Sequence, residues 1–312
     1  MIISASRRTD IPCYYSDWFF NRLQAGFAIV QNPSVPQQYS RIKLNPSTVD
    51  GFVFWTKYPG PMLNRLDELK KYPYYFQFTV TYYDKTIEPR LPVNKKEIIR
   101  TFKELSDKIG PERIIWRYDP ILLTEEIDIG GHIIGFNNIA KCLAKSTKKV
   151  IISFVDYQNK IEPNFKANEQ KPLEISMEQQ EQIAKTLQNI AWNYDMELET
   201  CAERMNPQAE IPAAHCVDSQ LFEKMLKTPL KIEKDKNQRS ECGCLQSVDI
   251  GAYNTCKNGC LYCYASKADS PAPKNPNHDP NSPIITGESV PESQITDRVI
   301  ASCKVAQLQL DL

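Results

Sequence analysis

Short apolar runs recur along this chain, separated by longer stretches that carry apolar residues on one side only. The runs at 2–6, 28–31, 52–56, 75–81, 114–117, 150–154, 197–201 and 247–252 are rich in Ile, Val, Phe, Tyr or Trp. Turn-forming or polar residues bound each of them, the signature of buried β-strands. Between them, 17–24, 61–70, 95–109, 135–145, 177–192 and 219–227 read as amphipathic helices, with Ser16, Asn94 and Ser176 standing where N-caps are wanted.

Eight strands alternating with helices predict an α/β fold built on a parallel sheet. The count, and a core spanning 1–269, favour a (β/α)8 TIM-like barrel over the alternative of an open doubly wound sheet. In a barrel the C-terminal ends of the strands converge on one mouth. Lys57 follows FVFWT, Arg117 and Asp119 lie in IIWRYDP, Asp156 follows IISFV and Glu203 follows ETCA. These five are the candidate catalytic residues, although Arg117 and Asp119 could equally form a rim ion pair. From Ser270 the character changes: SPAPKNPNHDPNSP has little to bury, so 270–312 reads as an extended strap. It carries a short amphipathic stretch over 292–303 and an apolar tail, QLQLDL.

Charge narrows the function classes. Lys and Arg total 38 against 38 Asp and Glu, so no global field draws in nucleic acid or an anionic membrane. A nucleic-acid partner is not favoured, and a small-molecule substrate is expected. No apolar leader and no run of membrane-spanning length stands out, which predicts a cytoplasmic protein.

Cysteine usage points to metal chemistry. Seven of the ten cysteines lie between Cys201 and Cys263, and the cytosol keeps thiols reduced. Cys256, Cys260 and Cys263 form a C-x3-C-x2-C run, CKNGCLYCYA. Three thiolates are one short of a closed zinc site. A [4Fe–4S] cluster held by three cysteines keeps one iron open to a small molecule. The alternative is a zinc knuckle that borrows a ligand from Cys242, Cys244 or a histidine. Cys201, Cys216, Cys242 and Cys244 form a second candidate site, for an auxiliary iron–sulfur cluster or a zinc ion. The competing reading makes Cys201 and Cys216 core residues and Cys242 and Cys244 a redox pair or an adjunct to the first cluster.

The C-x3-C-x2-C run, with Tyr262 just before its last cysteine, resembles the cluster loop of the radical S-adenosylmethionine superfamily. The resemblance implies that Cys256, Cys260 and Cys263 hold a [4Fe–4S] cluster whose open iron binds S-adenosylmethionine. It also implies that Tyr262 lines the adenine, and that a reductant such as flavodoxin or ferredoxin drives cleavage to a 5′-deoxyadenosyl radical. That superfamily carries the loop after its first strand, whereas here it follows the last. A circular permutation would keep the loop on the same rim, beside the segment after strand one. Arg7, Arg8, Thr9 and Asp10 are then the candidates for gripping S-adenosylmethionine, an arginine pairing with its carboxylate. No GGE-like tripeptide accompanies them. SASRRTDIP, FWTKYP and DIGAYNTCKNGCLYCYA together resemble an uncharacterised bacterial family, domain of unknown function 1848, over the chain up to about Ala265. That resemblance brings no reaction with it. The expectation is a radical-SAM-like enzyme; a non-SAM iron–sulfur electron carrier and a zinc-stabilised binding module are the rivals.

Overall fold

The computed structural model describes residues 1–156, 161–266 and 278–305. The chain opens with β1 (Ile2–Ala5), α1 (Ile11–Tyr14) and α2 (Ser16–Ala25). A hairpin of β2 (Phe27–Asn32) and β3 (Val35–Lys43) follows, then β4 (Gly51–Thr56), a 3-10 segment Gly60–Leu69 and β5 (Tyr74–Thr79). The next units are α3 (Lys95–Ile109), β6 (Ile114–Ile121), α4 (Ile129–Leu143) and β7 (Lys149–Phe154). The last are α5 (Glu162–Ala167), α6 (Met177–Trp192), β8 (Glu197–Thr200), α7 (Ser219–Leu226), β9 (Val248–Asp249) and β10 (Ile295–Arg298). Two expected caps form: Asn94 accepts from Glu97 N, and Ser176 makes a reciprocal capping box with Gln179. Ser16 is already helical, and it is Asp10 that caps α1.

Seven parallel strands form one sheet in the order β8-β7-β6-β5-β4-β1-β9. The last of these strands returns beside the first, with Ile3 opposite Val248. β8 and β9 remain edges, so the expected (β/α)8 barrel does not form, and the architecture is nearer the open-sheet alternative. Two physical reasons account for this. The run at 28–31 does not join the large sheet; it belongs to β2, which pairs antiparallel with β3 in a separate three-stranded sheet completed by β10. The other reason lies on the faces of the large sheet. Side chains alternate along each strand. Phe52, Phe54, Phe76, Phe78, Trp116 and Val150 belong to the main core, packed with the helices. Ile2, Val53, Tyr75, Ile115 and Ile151 point the other way, against Cys216, Val217, Phe222 and Cys244. A closed barrel would pack this second face on itself. Here the chain between β8 and β9 lies across it. Phe222 packs on Tyr75 at 5.1 Å, and comes so near Gly51 that a Cβ there would meet its ring at 2.1 Å.

The late segment binds the outside of this body. Trp18 Nε1 donates to Ser282 O at 2.9 Å, Ile29 bridges to Ile284, and Cys303 N donates to Asp50 Oδ2 at 2.7 Å. The 292–303 stretch forms a 3-10 turn and β10. The remainder of the proline-rich run, 267–277, and the tail at 306–312 lie outside the described residues.

His132 sits fully buried in α4. Its Nε2 lies 2.8 Å from Leu122 O and so carries the proton, while Tyr118 OH donates to Nδ1 at 3.0 Å. Burial pushes its pKa down from 6.5 to about 4. The native state therefore resists a proton that the unfolded chain accepts. Stability present above pH 6.5 is lost as pH falls towards 4, by about 3 kcal/mol. Urea unfolding at a series of pH values should show this loss, and His132→Gln should flatten it.

Candidate functional site

Two residues beyond Ile2, Val53, Tyr75, Ile115 and Ile151, the same sheet face carries Ser4, Trp55, Gln77, Arg117 and Ser153. An apolar row thus gives way to a polar one at the C-terminal ends of the strands. Arg117 donates through Nε and Nη2 to Asp119 Oδ2, at 3.0 and 2.6 Å, and through Nη1 to the Cys216 sulfur at 3.0 Å. Ser153 Oγ donates to the other Asp119 oxygen. Burial alone would neutralise both charges. Their attraction prevails, holding the Arg117 pKa well above its usual value and that of Asp119 below.

Beside this pair stands a second charged hub. Glu88, 1% exposed, accepts from Lys57 Nζ at 2.7 Å, Lys95 Nζ at 2.8 Å, Thr81 Oγ1 at 2.6 Å and the Tyr262 hydroxyl. Burial raises its pKa, but the two ammonium groups outweigh that and hold it at about 2. Lys57 also lies over the Tyr262 ring, 5.4 Å from its centroid.

Tyr262 belongs to the cysteine loop, which follows β9 and is fastened on several sides. Arg90 N donates to Asn258 O at 3.1 Å, Leu261 N to Ile87 O at 3.0 Å, and Asn164 Nδ2 to Leu261 O at 3.1 Å. Tyr14 OH reaches Asn258 Oδ1 at 2.7 Å, and Tyr15 OH reaches Thr255 O at 2.6 Å. Gly259 turns the loop at φ +66°, with the Arg90 guanidinium 2.5 Å from where a Cβ would stand. Gly259→Ala should therefore destabilise the protein by about 1–2 kcal/mol from the left-handed backbone alone, with displacement of Arg90 added. Thermal unfolding of the variant measures it. Burial pushes the Cys260 thiol up to about 12 and that of Cys256 well above the usual range; the neighbouring loop cysteines add to both shifts. Cys260 is buried and Cys256 and Cys263 half-buried, so ionising all three here would be costly, and a bound cation would offset that cost.

The pairing of β9 with β1 brings the segment after β1 against this loop. Asp249 of β9 accepts from Ser4 Oγ, Ser6 Oγ, Arg7 N and Gly251 N, at 2.6–2.9 Å. Arg7 and Arg117 both stack on Trp55, 4.9 and 5.2 Å from its ring centroid. Arg8 lies over Tyr253, and Thr9 is buried with its hydroxyl unpartnered among the described residues. Asp10 accepts from Cys13 N at 3.1 Å, Lys57 N at 2.8 Å and Asn258 Nδ2 at 3.3 Å, with burial raising its pKa to about 6. Its oxygens tie α1, β4 and the cysteine loop together.

Cys201, Cys216, Cys242 and Cys244 come together on the far side of Arg117. The Cys216 and Cys201 sulfurs are 3.4 Å apart, and Cys244 N donates to the Cys242 sulfur at 3.5 Å. Among the described residues, no group of three or more His, Cys, Asp or Glu side chains is placed so as to hold a metal ion.

Of the five expected strand-end residues, Lys57, Arg117 and Asp119 gather in one place. Glu203 sits at its edge, accepting from Phe154 N at 2.9 Å, and burial raises its pKa to about 7. Asp156 lies on the half-exposed rim, 3.5 Å from Arg239. Glu88, Asp249, Ser153 and Trp55 complete the site without having been singled out in the sequence. Trp55 could have been found from the period-two rule applied to Lys57.

The fold and site define an open parallel α/β protein with a thiol-rich, charged rim at its strand ends. The chain belongs to the family described as Domain of unknown function (DUF1848), whose model matches residues 2–265. No curated protein matches it. No helix among the described residues is long and apolar enough to cross a membrane.

Proposed function

We propose that the chain is an iron–sulfur enzyme in which Cys256, Cys260 and Cys263 hold a [4Fe–4S] cluster, one iron being left open to S-adenosylmethionine. The observation that carries this reading is the company the three thiols keep. They lie on one fastened loop against the segment after β1 and the charged strand ends, while Cys242 and Cys244 are engaged with Cys201 and Cys216. That arrangement speaks against a knuckle completed by Cys242 or Cys244. When bound, such a cluster supplies a low-potential electron, received from a small reductant such as flavodoxin or ferredoxin, to the ligand on its open iron.

The chain's own residues have definable tasks around it. Lys57, locked by Glu88, keeps a positive charge beside Cys260 and Cys263. Tyr262 is fixed edge and face by Glu88 and Lys57, and can bound a flat group such as adenine. Arg117, Asp119 and Ser153 form a rigid polar wall suited to a small polar substrate.

The test is anaerobic reconstitution, with iron and sulfide analysis and electron paramagnetic resonance recorded with and without S-adenosylmethionine. A changed spectrum, and 5′-deoxyadenosine formed after reduction, are expected. Alanine at the three loop cysteines should abolish both. A cluster whose spectrum ignores S-adenosylmethionine, or that is ligated by four protein side chains, would exclude the reading.

A further inference from the structure

The segment between β8 and β9 spans more than forty residues, and its helices are the eight-residue α7 and a three-residue 3-10 turn at Pro207–Ala209. Its isolated bridges are few: Thr200 with Ala213, Leu230 with Lys304, and Lys234 with Leu245. So little regular structure would ordinarily leave such a segment loose, yet Cys216, Cys242 and Cys244 within it are all buried. Small or loop-rich units of this kind commonly need a staple.

We propose that Cys201, Cys216, Cys242 and Cys244 bind one zinc ion as a tetrathiolate, at a site distinct from the Cys256, Cys260 and Cys263 loop. Four thiols from three separate places in the segment converge. The Cys216 and Cys201 sulfurs are in contact, Cys244 N donates to the Cys242 sulfur, and all four residues pack in one apolar cluster. The spacing selects the kind of metal. With Zn–S bonds of about 2.3 Å, the sulfurs of a tetrahedral site lie about 3.8 Å apart. The Cys201 and Cys216 sulfurs are 3.4 Å apart, close to that edge. The cysteines of a cubane stand at its outer corners and lie much further apart. The four sulfurs do not form a finished tetrahedron among the described residues, and a metal would draw them together.

The surroundings suit the charge. Zinc with four thiolates carries two negative charges, and two guanidinium groups face the cluster. Arg117 Nη1 donates to the Cys216 sulfur at 3.0 Å, and Arg7 is close enough to Cys244 and Cys216 to feel their charge. Arg7 Nη2 and Trp55 Nε1 are buried donors with no hydrogen-bond partner among the described residues. Buried donors of this sort want an acceptor, and metal-bound thiolates beside them are strong ones. The ion would be structural. It would pin the end of β8 and the approach to β9 onto the sheet, and through Arg117 and Arg7 it would brace the polar wall of the candidate active site.

The experiment uses full-length protein and its Cys256→Ala/Cys260→Ala/Cys263→Ala variant, which separates this proposal from the iron–sulfur reading. Metal analysis should find one zinc per chain in both proteins, and only a trace in Cys216→Ser and Cys244→Ser. Because the serine variants could unfold, cobalt is exchanged into the intact protein as a second readout. The visible absorption of a tetrahedral cobalt thiolate is expected. Absence of zinc from the triple-alanine protein would overturn the proposal. So would iron with acid-labile sulfide persisting in that protein, or a Cys201–Cys216 disulfide in place of metal.

Discussion

Replacing Glu88 by alanine should lower the free energy of unfolding by about 3–5 kcal/mol, the cost of removing one partner from a buried ionic cluster. Lys57 and Lys95 would be left close together, with Lys57 enclosed and no carboxylate between them. Urea titration measures the loss. A companion Lys57→Met exchange should recover part of it, because it removes one stranded charge. A loss below about 1 kcal/mol would mean that water already screens these ammonium groups. The pH sign follows from the depressed pKa. The stabilisation from Glu88 is fully present above its usual value of 4.5 and disappears only as pH falls towards 2. Acid unfolding at pH 2–4 should therefore be shallower in the alanine variant than in the native protein.

Phe222→Ala should cost a similar amount, about 3–5 kcal/mol, through lost burial and the cavity left behind. Phe222 is fully buried between Tyr75 and Gly51, and is the largest apolar group that α7 lays on the second face of the sheet. Thermal and urea unfolding would report the loss. Gly51→Ala should do comparable harm from the opposite side, by forcing the same ring away. If both variants were nearly neutral, the segment between β8 and β9 would not be what covers this face.

The strands of the large sheet could be read in the chain because most are buried on both sides. Runs such as FVFWT, YYFQFT and IIWRY carry few polar interruptions and hardly resemble anything else. The run at 28–31 has the same composition, and nothing local reveals that it pairs with the polar, half-exposed VPQQYSRIK. β9 is two residues long, and its role comes from its position beside β1 rather than from its propensity. The failure of the barrel was equally hidden. Apart from the amphipathic run at 219–227, the stretch from Cys201 to Leu245 has no clear period, and nothing local reveals that it covers a sheet face. The three loop cysteines were visible because thiol spacing survives in one dimension. Glu88 was not. It sits in TIEPR, away from any strand end or helix, and its importance arises only where Lys57, Lys95, Thr81 and Tyr262 meet in space.

Ile3 lies opposite Val248, so the rim that gathers the loop cysteines and the residues after β1 joins two stretches far apart along the polypeptide. During synthesis β1 must wait, one edge unpaired, for β9, which is made far later along the polypeptide. Assembly of this rim is therefore a late event in folding.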